Sequence, residues 1–268
     1  MIIKIDDALF GHAKYSTDFQ SSKYISWDRS PVQGKEDIVV YTDNTLTKVN
    51  PNVKNKIAWL LESPAVSGHW HDWITYNKDL FDTIFTNNKD LLDISDKFKF
   101  VPTGGCWIKP EDQKIYPKTK IVSIIASNKD FTDGHLMRKN ILKSIKAIDV
   151  FGRGFNPIDY KLVGLKDYMF SIVVENTKKD FYFTEKIIDC FTTGTVPIYW
   201  GCPSIGKFFD DRGILSFNSL GELKGILDKL SPEFYNERIE YIQTNLEKSK
   251  EFLIAEDYMY EKHLKNYV

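Results

Sequence analysis

Cysteine is scarce in this chain. Cys106, Cys190 and Cys202 form an odd set of three without metal-ligand spacing, which argues against a disulfide framework and for a reduced, intracellular protein. Long apolar runs are missing too. Nothing approaches the roughly 20 apolar residues of a membrane-spanning helix, and residues 1–6 lack the basic start and long apolar core of a signal peptide. Net charge is almost absent, at −1, so no global field draws the chain to nucleic acid or anionic lipid. An anionic ligand must be held by local charge. Internal repeats, low-complexity tracts, heptads and collagen-like patterns are lacking as well.

What remains is the composition of a globular protein, 42% hydrophobic and 27% charged over 268 residues, enough for one large domain or two of ordinary size. Residues 1–35 resist assignment apart from a short strand at 2–5. Strands then follow at 37–42, 56–61, 82–86 and 97–102, with a short helix at 89–92. The 56–61 strand ends in Glu62-Ser63-Pro64. Residues 109–118, with Pro110 and Pro117, read as a linker, which divides the chain into domains 1–117 and 118–268.

The second half repeats the grammar: a strand at 120–126, a helix at 135–147 with Leu136, Ile141, Leu142 and Ile145 on its apolar side, and a strand at 149–151. The β-branched run 170–174 ends in polar Glu175-Asn176. Thr184 is placed to cap a helix carrying Ile187, Ile188 and Phe191, and a second buried strand follows at 196–199. Strand, loop, helix, strand is a right-handed βαβ unit, whose ligand crevice lies beyond the carboxyl ends of the strands. Helices are expected at 220–230, 232–248 and 251–267, the last returning to the first domain through Phe252, Tyr258 and Tyr260.

Binding of an anionic nucleotide suits the residues at that crevice. A helix N-terminus offers unpaired N–H groups and partial positive charge, and Lys186 adds a full charge at a position otherwise unfavourable for a cation. Glu185 beside a phosphate site makes sense facing hydroxyls. His69-x-His71, with only Asp72 adjacent, falls short of a metal site; residues 70–73 either line a groove or pack.

Three blocks, Glu175-Asn176-Thr177, then Tyr182-Phe183-Thr184-Glu185-Lys186, then Gly194-Thr195-Val196-Pro197-Ile198-Tyr199-Trp200-Gly201-Cys202-Pro203, resemble in order and spacing the signature of the α-1,3/1,4-fucosyltransferases, glycosyltransferase family 10. The resemblance extends upstream through Ser127-Asn128, Gly134, Arg138 and 149–153. It implies an α/β protein of GT-B architecture, two Rossmann-like domains facing across a cleft, the first binding acceptor and the second the nucleotide sugar. It further implies an inverting, metal-independent transfer from GDP-fucose, a co-substrate, to a hydroxyl of a glycan acceptor, with no cofactor.

By the same resemblance Glu62 is the general base, against the plainer reading of a turn carboxylate. Arg138 and Lys186 meet the donor diphosphate, where the plainer reading is a surface cation. Asn176, Tyr182, Glu185, Ser127, Asn128, Gly152 and Arg153 complete the donor contacts, although Tyr182 could simply pack and Gly152 could simply turn. Glu175 either orients the others or pairs with a lysine. Alternatives are a transferase of the same fold using another nucleotide sugar, and an inactive sugar- or nucleotide-binding module. Family members of the secretory pathway carry an anchor and stem that this chain lacks, so a cytoplasmic protein of microbial or viral origin is expected. Residues 262–268 are too short and too little charged for a membrane-binding tail, and the oligomeric state is left open.

Overall fold

The computed structural model describes residues 1–7 and 13–267, with the side chain of Asn266 excepted. Contacts divide the chain into two compact units, Met1–Gly105 with Ile254–Val268, and Cys106–Leu253. Residues 109–118 therefore fall inside the second unit. Val268 lies outside the described residues.

Unit 1 is a six-stranded sheet in the order β2-β1-β3-β4-β5-β6, formed by β1 (Ile2–Asp6), β2 (Ser26–Asp28), β3 (Ile38–Thr42), β4 (Asn55–Trp59), β5 (Thr83–Thr86) and β6 (Phe98–Phe100). All the pairings are parallel. Strands covered on both faces read as continuous apolar runs, and successive side chains go to opposite faces. Val40, Ile57, Trp59 and Phe85 thus join one core, while Val39, Tyr41, Ala58 and Ile84 join the other. The second core also takes Ile74 of α1 (Pro64–Asn77), with Trp70 and Trp73 against it; those tryptophans pack edge-on at 6.2 Å. The three-residue β2 is too short for a periodic signal, although its Trp27 is buried.

The 254–268 segment is part of this unit. It comprises α8 (Ala255–Met259), a π turn at Tyr260–Leu264 and a 3₁₀ turn at Lys265–Tyr267, not one long α-helix. Tyr260 stacks on Tyr24 at 4.5 Å, and Tyr258 meets Phe100 edge-on. Beneath them Glu256 is fully buried. One of its oxygens accepts the Trp27 indole N–H at 3.1 Å and the Ser16 N–H at 2.9 Å, and the other the Ser16 hydroxyl at 2.6 Å.

Unit 2 is a five-stranded parallel sheet in the order β11-β10-β9-β7-β8. It contains β7 (Lys120–Ile125), β8 (Asp149–Phe151), β9 (Tyr168–Val174), β10 (Val196–Trp200) and β11 (Leu215–Ser216). Along β9 every residue is buried. Its helices are α3 (Asp133–Ser144), α4 (Glu185–Thr192), α5 (Leu220–Leu227), α6 (Pro232–Asn236) and α7 (Ile239–Ser249). The helical stretch expected over 232–248 is broken between α6 and α7, where Arg238 leaves helical geometry at ψ 3°. Phe252, expected to anchor the terminal segment on unit 1, belongs instead to an aromatic cluster of unit 2 with Phe183, Phe208 and Phe209.

Among the described residues no helix is long and apolar enough to cross a membrane. The buried Glu256 cluster carries a stability prediction. Glu256→Ala leaves the Trp27 and Ser16 donors unpaired, and loss of such charge-assisted bonds is expected to destabilise unit 1 by about 3 kcal/mol. Calorimetric unfolding of Glu256→Ala beside Glu256→Gln, which keeps an acceptor, checks this.

Candidate active site

In unit 2 the chain leaves β7 through α3 to β8 on one side of it and returns to β9 on the other. Such a reversal opens a crevice outside the carboxyl ends of the two central strands. A recess of about 300 Å³ lies there, and Ser127, Arg138, Gly152, Arg153, Lys161, Glu185, Lys186 and Asp189 are among the residues lining it. Four cations thus face two carboxylates, a local excess of positive charge in a chain of net charge −1.

Glu175 organises one wall. It follows the last residue of β9, is 0% exposed, and accepts the Thr184 N–H at 2.9 Å and the Thr184 hydroxyl at 2.7 Å. Thr184 is the N-cap of α4, its oxygen accepting the Lys186 N–H. The Lys186 ammonium then closes the cluster, 2.9 Å from the Thr184 hydroxyl oxygen and 3.3 Å from Glu175. Burying a carboxylate is expensive unless it is paired and hydrogen-bonded; here it has both kinds of partner. The outcome is a fixed helix N-terminus with its lysine held at the mouth.

Arg138 comes from α3 and is 5% exposed. Its guanidinium donates to the carbonyl of Val174, from Nε at 3.1 Å and Nη2 at 2.5 Å, and to Asn176 Oδ1 at 3.1 Å. Burial lowers its pKa while Glu175 works the other way, but a guanidinium stays charged through such shifts. The close approach of α3 to the end of β9 depends on Gly134: a Cβ there would lie 1.7 Å from the Glu175 carbonyl oxygen. Gly152, at φ +111°, likewise lets the turn after β8 pass the Ala126 carbonyl.

The remaining expected residues are distributed unevenly. Ser127, Gly152, Arg153, Glu185 and Lys186 line the recess together with Arg138. Asn176 borders it through its bond to Arg138, and Asn128 stands in the adjoining turn, donating its N–H to the Arg153 carbonyl. Tyr182, two residues before the cap of α4, is 1% exposed. His135, in the first turn of α3, is buried, and burial together with Arg138 and Lys129 pushes its pKa down to about 4. It is neutral at pH 7. Glu62, exposed in unit 1, is described there.

Two participants went unnoticed in the sequence. Lys161 bridges Glu185 at 3.2 Å and Asp189 at 2.9 Å, and Asp189 also accepts the Trp107 N–H at 2.7 Å. Burial disfavours the charge on Lys161, but Asp189 and Glu185 outweigh it and raise the pKa above the usual lysine value. Burial likewise opposes ionisation of Glu185, yet Lys161 and Lys186 hold it well below the usual carboxylate range. The signal was available: carboxylates at i and i+4 share a helix face and repel, so Glu185 and Asp189 called for a cation.

A second recess, of about 560 Å³ and lined by Asp6, Asp7, Arg29, Lys48 and Asn50 among others, lies beside the carboxyl end of β1 in unit 1. His71, in α1, is occupied: its Nε2 donates to the Glu62 carbonyl at 3.0 Å and its Nδ1 accepts from Asn88 at 3.3 Å. Among the described residues no group of three or more His, Cys, Asp or Glu is placed to hold a metal.

Comparison with known proteins agrees with the motif blocks. Residues 115–243 match the family model for the C-terminal domain of glycosyltransferase family 10 (fucosyltransferase). An alpha-(1,3)-fucosyltransferase, FucT, of Helicobacter pylori is 33% identical over 91 residues, covering 32% of this chain and 19% of that protein. An alpha-(1,4)-fucosyltransferase of Arabidopsis thaliana is 30% identical over 84 residues, covering 30% of this chain and 21% of its own length. The matches thus span about a fifth of these curated relatives. Among solved structures, an alpha1,3-fucosyltransferase superposes with a TM-score of 0.58 at 18% identity, over 98% of this chain and 87% of that one. A crystal structure of alpha1,3-fucosyltransferase with GDP gives 0.55 at 19%, over 99% and 88%, and one with GDP-fucose 0.50 at 20%, over 94% and 80%. This chain therefore shares the fold of these structures, with two α/β units, each built on a parallel sheet.

Lys161→Met takes from Asp189 its cation and leaves Glu185 with Lys186 alone. Breaking a partly buried pair in this way is expected to destabilise unit 2 by about 3 kcal/mol, read as a lower denaturation midpoint in urea.

Proposed function

We propose that this chain, whose residues 115–243 match the family model for the C-terminal domain of glycosyltransferase family 10, is an inverting glycosyltransferase moving fucose from GDP-fucose to a hydroxyl of a glycan acceptor. The observation that carries this reading is the cationic recess at the carboxyl ends of β7 and β9, inside the segment that the family match covers. That neighbours of the same fold have been crystallised with GDP and with GDP-fucose supports the choice of nucleotide.

In the proposed reaction the acceptor oxygen attacks the sugar carbon from the face opposite the leaving group, and the bond to the β-phosphate breaks with its electron pair going to the diphosphate. The acceptor proton passes to Glu62. Negative charge grows on the departing diphosphate, where Arg138, Lys186 and the N–H groups at the start of α4 stabilise it more in the transition state than in the ground state. Glu185 is assigned to hydroxyls of the donor. The transition state has oxocarbenium character, as in glycoside hydrolysis, and the residues named supply both the base and the charge stabilisation without a metal. The acceptor glycan is assigned to unit 1, where the carboxylates, amide and cations of the recess beside β1 suit a polyhydroxyl ligand. Three buried free thiols suit the reducing cytoplasm.

GDP is expected to raise the unfolding midpoint in a thermal-shift panel and UDP to leave it unchanged; equal response to both, or to neither, contradicts the assigned donor. Lys186→Met is expected to weaken GDP by about 10–100-fold, the worth of one charge-assisted hydrogen bond. Glu62→Gln is expected to keep GDP affinity while transfer falls by about 10²–10⁴; retained turnover would remove Glu62 from the role of base.

A further inference from the structure

Lys179, Asp180, Phe181 and Tyr182 form a tight turn in the loop between Glu175 and α4, closed by the Tyr182 N–H donating to the Lys179 carbonyl at 3.3 Å. Phe181, its third residue, has a backbone φ of 67°, while Asp180 is not among the non-glycine residues of positive φ. Such a turn is of type II, whose third position ordinarily goes to glycine or asparagine. A phenylalanine there is strained, and strain of this kind persists only where surrounding contacts over-determine it.

Those contacts come from one segment of unit 2. The Phe181 N–H donates to Ser204 Oγ at 3.2 Å. Its ring meets Phe208 edge-on with centroids 5.3 Å apart, and the Lys207 ammonium lies 5.3 Å from the ring centroid. Phe208 also packs on Phe183 at 4.8 Å, so it grips the loop on both sides of Tyr182. The same segment begins against the buried carboxylate of the site: a Cβ at Gly201 would lie 2.6 Å from Glu175 Cγ. Its own course is fixed by the Cys202 N–H on the Tyr199 hydroxyl at 3.0 Å and by the 3₁₀ turn Ile205–Lys207.

Beyond the strained position Tyr182, Phe183 and Thr184 are all buried, and Thr184 opens α4 as its cap. Only Tyr182 and Phe183 separate Phe181 from that cap. Glu175 fixes Thr184 as a point; the turn fixes the direction from which the chain enters the helix.

We propose that Phe181 is a positioning residue for the donor site: clamped against Ser204 and Phe208 in a backbone conformation suited to glycine, it holds the start of α4, with Lys186 and the first-turn N–H groups, in place before a nucleotide arrives. The effect on the nucleotide rests on the reading of the recess as a donor site; the effect on the helix start does not. Glycine would fill the turn without strain but could not form the clamp. A site ordered in advance loses less freedom when its ligand binds.

The test is amide hydrogen exchange in the full chain, with GDP affinity measured beside it. Phe181→Gly fits the turn and deletes the clamp. The start of α4 should then stand open most of the time, so that the Thr184 and Lys186 N–H groups lose their protection, and the Kd for GDP rises roughly tenfold if about a tenth of the molecules keep the ordered start. Phe181→Tyr keeps the ring and should restore both. The amides of β9 and α3 should exchange at the wild-type rate in each variant. Should Phe181→Gly fail to fold, Ser204→Ala removes the acceptor of the Phe181 N–H and should loosen the same two amides in the same direction. Thr184 and Lys186 amides as protected in the variant as in wild type overturn the proposal, and so does faster exchange spread evenly over unit 2, the mark of a ring that merely packs. An unchanged Kd in Phe181→Gly, with wild type binding GDP, overturns it too. If wild type binds no GDP, the donor reading fails by itself, and the exchange rates still decide whether Phe181 fixes the helix start.

Discussion

The buried carboxylate of Glu175 is the constraint on which the candidate donor site depends. It sits at the end of a strand whose residues are all buried, where an isolated charge would be intolerable. It is tolerated because Thr184 and Lys186 satisfy it. That arrangement ties three things into one unit: the end of β9, the cap of α4, and a lysine placed at the positive end of a helix. A cation there is unfavourable by the helix dipole alone, so its retention needs a compensating anion. Glu175 supplies part of the compensation within the protein, and a bound diphosphate would supply the rest.

Around that hub the charges are graded. Arg138 is fixed by a backbone carbonyl and by Asn176, which makes it a rigid donor with little entropy left to lose. Lys161 neutralises Glu185 and Asp189, which keeps Glu185 ionised inside the recess. An ionised carboxylate accepts hydrogen bonds only, and this suits it to hydroxyls and not to phosphate oxygens. Preorganisation of this kind lets each group act without rearrangement when charge develops.

Much of this was legible before any coordinates. The parallel strands stood out because two-sided burial leaves uninterrupted apolar runs, as in 170–174 and 196–199, and the cap at Thr184 has the residue type that caps need. The site residues at strand ends followed from the same grammar. Lys161 itself was not legible as the cation that this pair calls for, because it opens a four-residue 3₁₀ turn (Lys161–Gly164) too short for periodicity and its partners are 24 and 28 positions away. Tyr182 differs in that its place in the motif signalled a ligand contact and gave no sign of how deeply the ring is buried. The broken helices after residue 231 were missed because an amphipathic pattern continues across a kink that Arg238 introduces through its backbone angles alone.

Unit 1 follows a related logic at Glu62. Its side chain is exposed, yet the backbone beside and at it is held by Asp43, which takes the Leu61 N–H, and by His71, which meets the Glu62 carbonyl, so an accessible acid sits on a fixed frame. The sequence showed the acid and not the frame, since Asp43 precedes it by 19 positions and joins it only through the pairing of β3 with β4.

The most direct measurement is a crystal structure of the chain with GDP. The account predicts the diphosphate seated at the N-terminus of α4, within hydrogen-bond reach of Lys186 and Arg138, with Glu175 still bonded to Thr184. A nucleotide bound elsewhere, or a diphosphate touching neither cation, would contradict it.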